Sequence, residues 1–169
     1  MNNKFSYNGV VTLIERVNNK TVSKKYYNNG TETLFEAYAR ALSGQSINNF
    51  IPQYINMYSV SVDDGRETLI TNNPIPVMVS YKEKNTDGGE YDVPYIRISV
   101  VILKSMVNLT NNDPIRLKLC CSSNRTNDKE LAVVDIPNLA TTISPMSTGV
   151  QLILLWDLYV SNDTTANGG

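Results

Sequence analysis

The feature that most restricts this chain is the stretch 149–160, GVQLILLWDLYV. Val150, Leu152, Leu154, Trp156, Leu158 and Val160 fall at every second position. Successive side chains of a strand point to opposite faces, so these residues share one face. Ile153, Leu155 and Tyr159 make the other face partly apolar. Such a strand has little to offer water on either side, which predicts a central place in a sheet with partner strands on both edges.

The rest of the chain supplies the partners. In 95–103, Ile96, Ile98, Val100 and Ile102 share one face, while Val101 and Leu103 share the other with Arg97 and Ser99. Ile115, Leu117, Leu119 and Cys121 alternate with Arg116 and Lys118 as in a half-buried strand. Residues 10–17 and 20–27 read as a tight hairpin turned at Asn18–Asn19, since Asn accepts the positive φ that a two-residue turn needs. Lys24 and Lys25 mark its second strand as an exposed edge. Residues 51–62 place Tyr54, Asn56, Tyr58, Val60 and Val62 on one face, and Ile75, Val77, Val79 and Tyr81 form a further alternating face. A short segment at 67–71 leads to the next turn, a short strand is predicted at 131–136, and 137–148 reads as irregular, with Pro145 set against strand. Turn clusters such as Asn72-Asn73-Pro74 and Asn111-Asn112-Asp113-Pro114 separate these runs.

The expected fold is therefore mainly β: an antiparallel β-sandwich or jelly-roll-like barrel of about eight strands, with one short helix after the first hairpin. With 169 residues, one domain is expected: 1–160 as a single β-rich domain, then a C-terminal tail, 161–169, disordered or ordered only by a partner.

That helix lies in 26–44, YYNNGTETLFEAYARALSG. Thr31 and Thr33 are both N-cap candidates, and Thr33 with Glu36 has capping-box spacing. Leu34, Ala37, Tyr38, Ala41 and Leu42 form one apolar face, and Gly44 suits the left-handed position that closes a helix. Phe35 and Ala39 lie outside that stripe. The helix is thus more apolar than a surface helix needs, and it is expected to be largely covered, by the sheet or by a neighbouring subunit. Phe35, Ala39 and Tyr38 are the candidate subunit contacts.

The chain contains no histidine, which removes imidazole catalysis, Ser-His-Asp and Cys-His arrangements, and histidine-bearing zinc sites. Its two cysteines are adjacent, Cys120 and Cys121, and in a strand they would point to opposite faces as reduced thiols. A net charge of −1 with no basic run argues against nucleic-acid binding by phosphate neutralisation. No apolar run approaches a membrane span, and the N-terminal residues lack the apolar region of a secretion signal, so no membrane partner is expected and synthesis in the cytosol is. No cofactor motif occurs, and no enzymatic activity is expected. The remaining polar candidates lie in the loop 82–93, where Asp87, Glu90 and Asp92 flank two glycines but miss the spacing of a calcium loop. Tyr91 in that loop, with these carboxylates, is the candidate ligand or partner contact, since tyrosine combines an apolar ring with a polar tip.

The hairpin strand VTLIERV, the turn and helix NNGTETLFEAYARALSG and the proline-led strand IPQYI form a layout that resembles small virion proteins of tailed bacteriophages. PYIRISVVILKSM and GVQLILLWDLYV look like the inward strands of such modules. The resemblance implies a non-enzymatic structural part of a head, head fibre, collar or tail, assembled in the host cytoplasm and carried in the virion. Its partners would be copies of itself and other virion proteins. The alternative reading is a module that binds a carbohydrate or another host-surface ligand through its tyrosines and loop carboxylates.

Overall fold

The computed structural model describes residues 4–17, 20–84, 91–121 and 129–163. Strands β1 (Lys4–Val17) and β2 (Lys20–Asn29) lead into helix α1 (Glu32–Leu42). A 3-10 turn, Asn48–Phe50, precedes β3 (Tyr54–Val60), β4 (Glu67–Leu69), β5 (Ile75–Pro76), β6 (Met78–Lys82) and β7 (Tyr95–Leu103). After β8 (Ile115–Cys120) and β9 (Glu130–Ile136) come the short helix α2 (Leu139–Ile143) and the last strand, β10 (Gln151–Asp163). The first sheet has the order β2-β1-β10-β7-β6, and the second β4-β3-β8-β9 with β5 also on β3. All pairings are antiparallel. Two open sheets face each other, so the fold is a β-sandwich and not a closed barrel.

β10 takes the central position that its two apolar faces demand. Leu152, Leu154 and Trp156 face Ile102, Val100 and Ile98 of β7 on one side. On the other, Leu154 and Trp156 face Leu13 and Val11 of β1. All of these side chains are buried in one core cluster with Ile55 and Met57 of β3, Leu117 and Leu119 of β8 and Val134 and Ile136 of β9. Each fully buried side chain of this kind contributes about 1.5–3 kcal/mol relative to an exposed one.

Several expectations are corrected. For β3 the alternation left the inward face open, and that face is Ile55 and Met57; Tyr54, Asn56, Tyr58 and Val60 share the other, Asn56 and Tyr54 nonetheless being buried. Alternation alone places residues on a common face without saying which face meets the other sheet. The run from Ile75 to Tyr81 is two strands: β5 pairs with β3 in the second sheet, and β6 crosses to pair with β7 in the first. The stretch expected to be irregular contains α2, which buries Leu139, Ala140 and Ile143 in the core. A helix of five residues is too short to show periodicity in a sequence. β10 continues to Asp163, paired with Lys4 of β1, so Ser161–Asp163 belong to the sheet, and the strand runs past the expected domain boundary at 160. The turn at 18–19 lies outside the described residues; Val17 pairs with Lys20. Cys120 and Cys121 form no disulfide and are both buried, and of the two only Cys121 joins the core cluster.

Gly9 matters for a steric reason. It lies in the row that includes Leu158 and Asn28. A Cβ there would overlap Asn28 Oδ1 and come within 3.0 Å of Trp156 Nε1. Trp156 Nε1 donates to that same Asn28 Oδ1 at 3.1 Å, the polar tip of an otherwise fully buried indole. Gly9→Ala is expected to lower stability by about 1–3 kcal/mol through overpacking and loss of this bond. In an Asn28→Ala background the same substitution should cost less, because the overlapping atom is gone. Denaturation followed by the emission of Trp156, the sole tryptophan, checks both.

Candidate functional site

Helix α1 begins one residue after Thr31, its N-cap, and the Thr33–Glu36 capping box does not form. Glu36 instead accepts from Arg40 Nε at 3.0 Å, one helical turn on. The Thr31 hydroxyl makes no helix cap; it reaches the carbonyls of Glu130 and Leu131, the latter at 2.8 Å, and Thr31 N donates to Leu131 O at 3.2 Å. Gly30 forms an isolated bridge with Ala132. The helix start is therefore fastened to β9, where chain leaving the first sheet meets the edge of the second. Gly44, at φ 75°, follows the helix in the left-handed conformation expected of it.

No residue of α1 is buried, contrary to the expected largely covered helix. Leu34 packs against the core. The candidate contacts are open: Phe35 is 44% exposed and Tyr38 46%, and Ala39 is exposed too. Leu42, read as part of the inward stripe, is 72% exposed. The helix that does bury side chains in the core is α2, through Leu139, Ala140 and Ile143.

Beside α1 the sandwich is open. The inward row of the first sheet continues past Trp156 as Tyr81, Ile96 and Leu158. Leu158 is buried, whereas Ile96 remains 41% and Tyr81 67% exposed. With Leu34 and Tyr38 of α1 across from them, these residues line a cleft of about 500 Å³. Its walls are aliphatic and aromatic, so they suit an apolar or aromatic surface. A cleft of this kind lowers free energy when covered, at roughly 25 cal/mol per Å² of apolar surface removed from water.

Two polar arrangements occupy the outer faces. On the first sheet, Arg97 makes a two-pronged ion pair with Asp157, Nε to Oδ1 and NH2 to Oδ2 both at 2.8 Å. The Asp157 side chain is only 2% exposed. Tyr91 seals this pair. Its ring centroid lies 4.8 Å from that of Tyr95 and 4.9 Å from that of Tyr159. Burial first, then the Asp157 charge and the hydrogen bond to it, push the Tyr91 hydroxyl well above the ordinary phenol range. Tyr91, expected to be a contact residue in an open loop, is thus a buried cover for Asp157. Asp92 is exposed beside it; Asp87 and Glu90 lie outside the described residues.

On the second sheet, Arg116 pairs with Asp135 at 2.7 Å and Glu67 at 2.6 Å, and Lys118 pairs with Glu67 and Glu130, both at 2.8 Å. The network ties β4, β8 and β9 across their outer face. Among the described residues no group of three or more His, Cys, Asp or Glu side chains is placed to hold a metal ion. Among them, too, no helix is long and apolar enough to cross a membrane.

Of the sequence-derived candidates among the described residues, then, only Tyr38 lies on the cleft, with Phe35 and Ala39 exposed on the same helix. Tyr81, Ile96 and Leu158 entered the sequence reading only as strand positions; no local signal marks the end of a row where the opposing sheet stops. No protein-family model matches the chain, and no curated protein or solved structure matches it either. Its class, a two-sheet antiparallel β-sandwich with one surface helix, rests on the fold itself.

The network on the second sheet has a pH signature. Lys118 holds Glu67 below the usual carboxylate range, and Arg116 does the same for Asp135. A depressed folded-state pKa stabilises above the unfolded value and is lost as pH falls through the folded one. Stability is therefore expected to be flat in this contribution at neutral pH and to fall below about pH 4. These groups are partly solvated, so each contributes under about 1 kcal/mol. Melting curves between neutral and acid pH, with Glu67→Gln showing the shallower acid loss, check it.

Proposed function

We propose that this chain is a non-enzymatic structural subunit that associates with copies of itself or attaches to a larger assembly. The observation that carries the reading is the apolar surface left open at one end of the sandwich: a helix with no buried residue standing beside an apolar cleft. A helix bearing Phe35 at 44% and Leu42 at 72% exposure favours a second surface over water. The resemblance of the opening third to virion proteins of tailed phages suggests the setting, a head, collar, fibre or tail. In that setting the subunit would be made in the host cytoplasm and packed against other virion proteins, with no substrate turned over.

A second reading has its own observation. A small open pocket of about 180 Å³ is lined by Asn8, Gly9, Tyr27, Asn28 and Tyr159, with the Tyr27 side chain 74% exposed. An exposed aromatic ring beside amides is the chemistry that stacks on and hydrogen-bonds a sugar, which supports a carbohydrate- or host-surface-binding module.

Native mass across a concentration series separates the two. The structural reading expects a defined oligomer, or capture onto particles. Replacing Phe35 and Leu42 together by Glu should weaken capture onto particles or growth into a larger assembly at least about tenfold while shifting stability within roughly 0.5 kcal/mol, because both side chains are exposed. A chain that stays monomeric at high concentration and binds no particle overturns it. Binding on a glycan array that disappears in Tyr27→Ala would favour the second reading.

A further inference from the structure

We infer that the unit of self-association is a twofold dimer in which β6 pairs antiparallel with β6 of a second copy, joining two five-stranded sheets into one. The inference rests on the structural-subunit reading and specifies its first contact.

An edge strand presents unpaired backbone donors and acceptors and invites another chain unless it is blunted. Of the sheet edges among the described residues, three are managed. β2 carries the exposed Lys24 and Lys25; β4 is three residues long; β9 is met by the Gly30 bridge and by α1. β6 is not managed. It ends the first sheet, pairs only with β7, and reads Met-Val-Ser-Tyr before its first charge at Lys82. All five of its residues are exposed, Met78 at 69%, Val79 at 41% and Tyr81 at 67%.

The register follows from the residues at either end. Centring the twofold on Ser80 pairs all of β6 and sets Val79 beside the second copy's Tyr81, an aromatic and β-branched pair of the kind that stabilises sheets. Shifting one way brings Pro76, which has no N–H, into the ladder. Shifting the other sets Glu83 beside Val79 and Lys84 beside Met78. Val79 and Tyr81 lie on the inward side, opposite Ile98 and Ile96, so the second copy's Val79, set beside Tyr81, extends the row Tyr81, Ile96 and Leu158 that walls the cleft.

The area is sufficient. The exposed portions of Met78, Val79 and Tyr81 come to roughly 350 Å² per copy, or about 700 Å² for the pair, and the paired backbone edge with part of the Ile96 and Tyr38 surface brings the total to about 1,000 Å². That is the area a specific interface must clear. A twofold contact uses the same patch on both copies and closes on itself. It leaves Phe35 and Leu42 available for the next contact of an assembly.

Two variants test the pairing by sedimentation and mild oxidation of the full chain. Wild type is expected at twice the chain's 18.8 kDa. Tyr81→Lys places a charge on the edge at a position 67% exposed and should weaken the dimer at least about tenfold, with an unchanged circular dichroism spectrum. Ser80→Cys should form an intermolecular disulfide, since facing residues in an antiparallel pair are about 4.5–5.5 Å apart at Cα, within disulfide reach. The native thiols, 1% and 0% exposed, should not compete. An oligomer that Tyr81→Lys leaves intact and Ser80→Cys fails to cross-link overturns the edge pairing while self-association stands. A wild-type chain that remains monomeric overturns both.

Discussion

The antiparallel pairing of β10 with β1 on one side and β7 on the other holds the first sheet together, and the row Leu152, Leu154 and Trp156 that it carries inward is the wall against which the second sheet packs. Because β10 is apolar on both faces, its outer side also needs cover. Asp157 lies there at 2% exposure and is tolerated because Arg97 grips it with two hydrogen bonds and Tyr91 closes over it. A buried carboxylate without such partners would cost several kcal/mol. Tyr91, just ahead of β7, is thus tied to the needs of the central strand.

The two outer faces differ in character. The second sheet carries an ion-pair network linking Glu67, Arg116, Asp135, Lys118 and Glu130, a surface suited to water. The end of the sandwich beside α1 and β6 is apolar, with Tyr38, Tyr81 and Ile96 open to solvent. A protein with one ion-paired face and one apolar end is asymmetric, and that asymmetry supports the proposed role as a structural subunit. The edge of β6 adds the backbone half of the same argument, since its unpaired amides and carbonyls lie along the apolar end.

Much of the fold was legible in the residues. The alternation in β7, β8 and β10 identified which side chains meet in the core, and Lys24 and Lys25 marked β2 as an edge. What misled was burial. The periodicity of α1 located the helix, but its apolar content suggested cover that the monomer does not provide. The pattern in β3 grouped Tyr54, Asn56 and Tyr58 correctly and said nothing about which group faced inward. For the cleft, Tyr38 could be singled out as part of an over-apolar helix, whereas Tyr81 and Ile96 read as ordinary strand residues. Their exposure depends on where the second sheet ends.

By itself the sequence determined the longer strands β7, β8 and β10, the central rank of β10, the left-handed turn at Gly44 and the absence of imidazole chemistry, because these follow from local periodicity, backbone sterics and composition. Tertiary structure alone decided that β5 and β6 belong to different sheets, that α2 and not α1 fills the interior, and that Tyr91 is buried over Asp157. The physical reason is common to all three. Periodicity reports which residues share a face, but the free energy of that face depends on what packs against it, and that partner comes from a distant part of the chain or, at the open end, from another molecule.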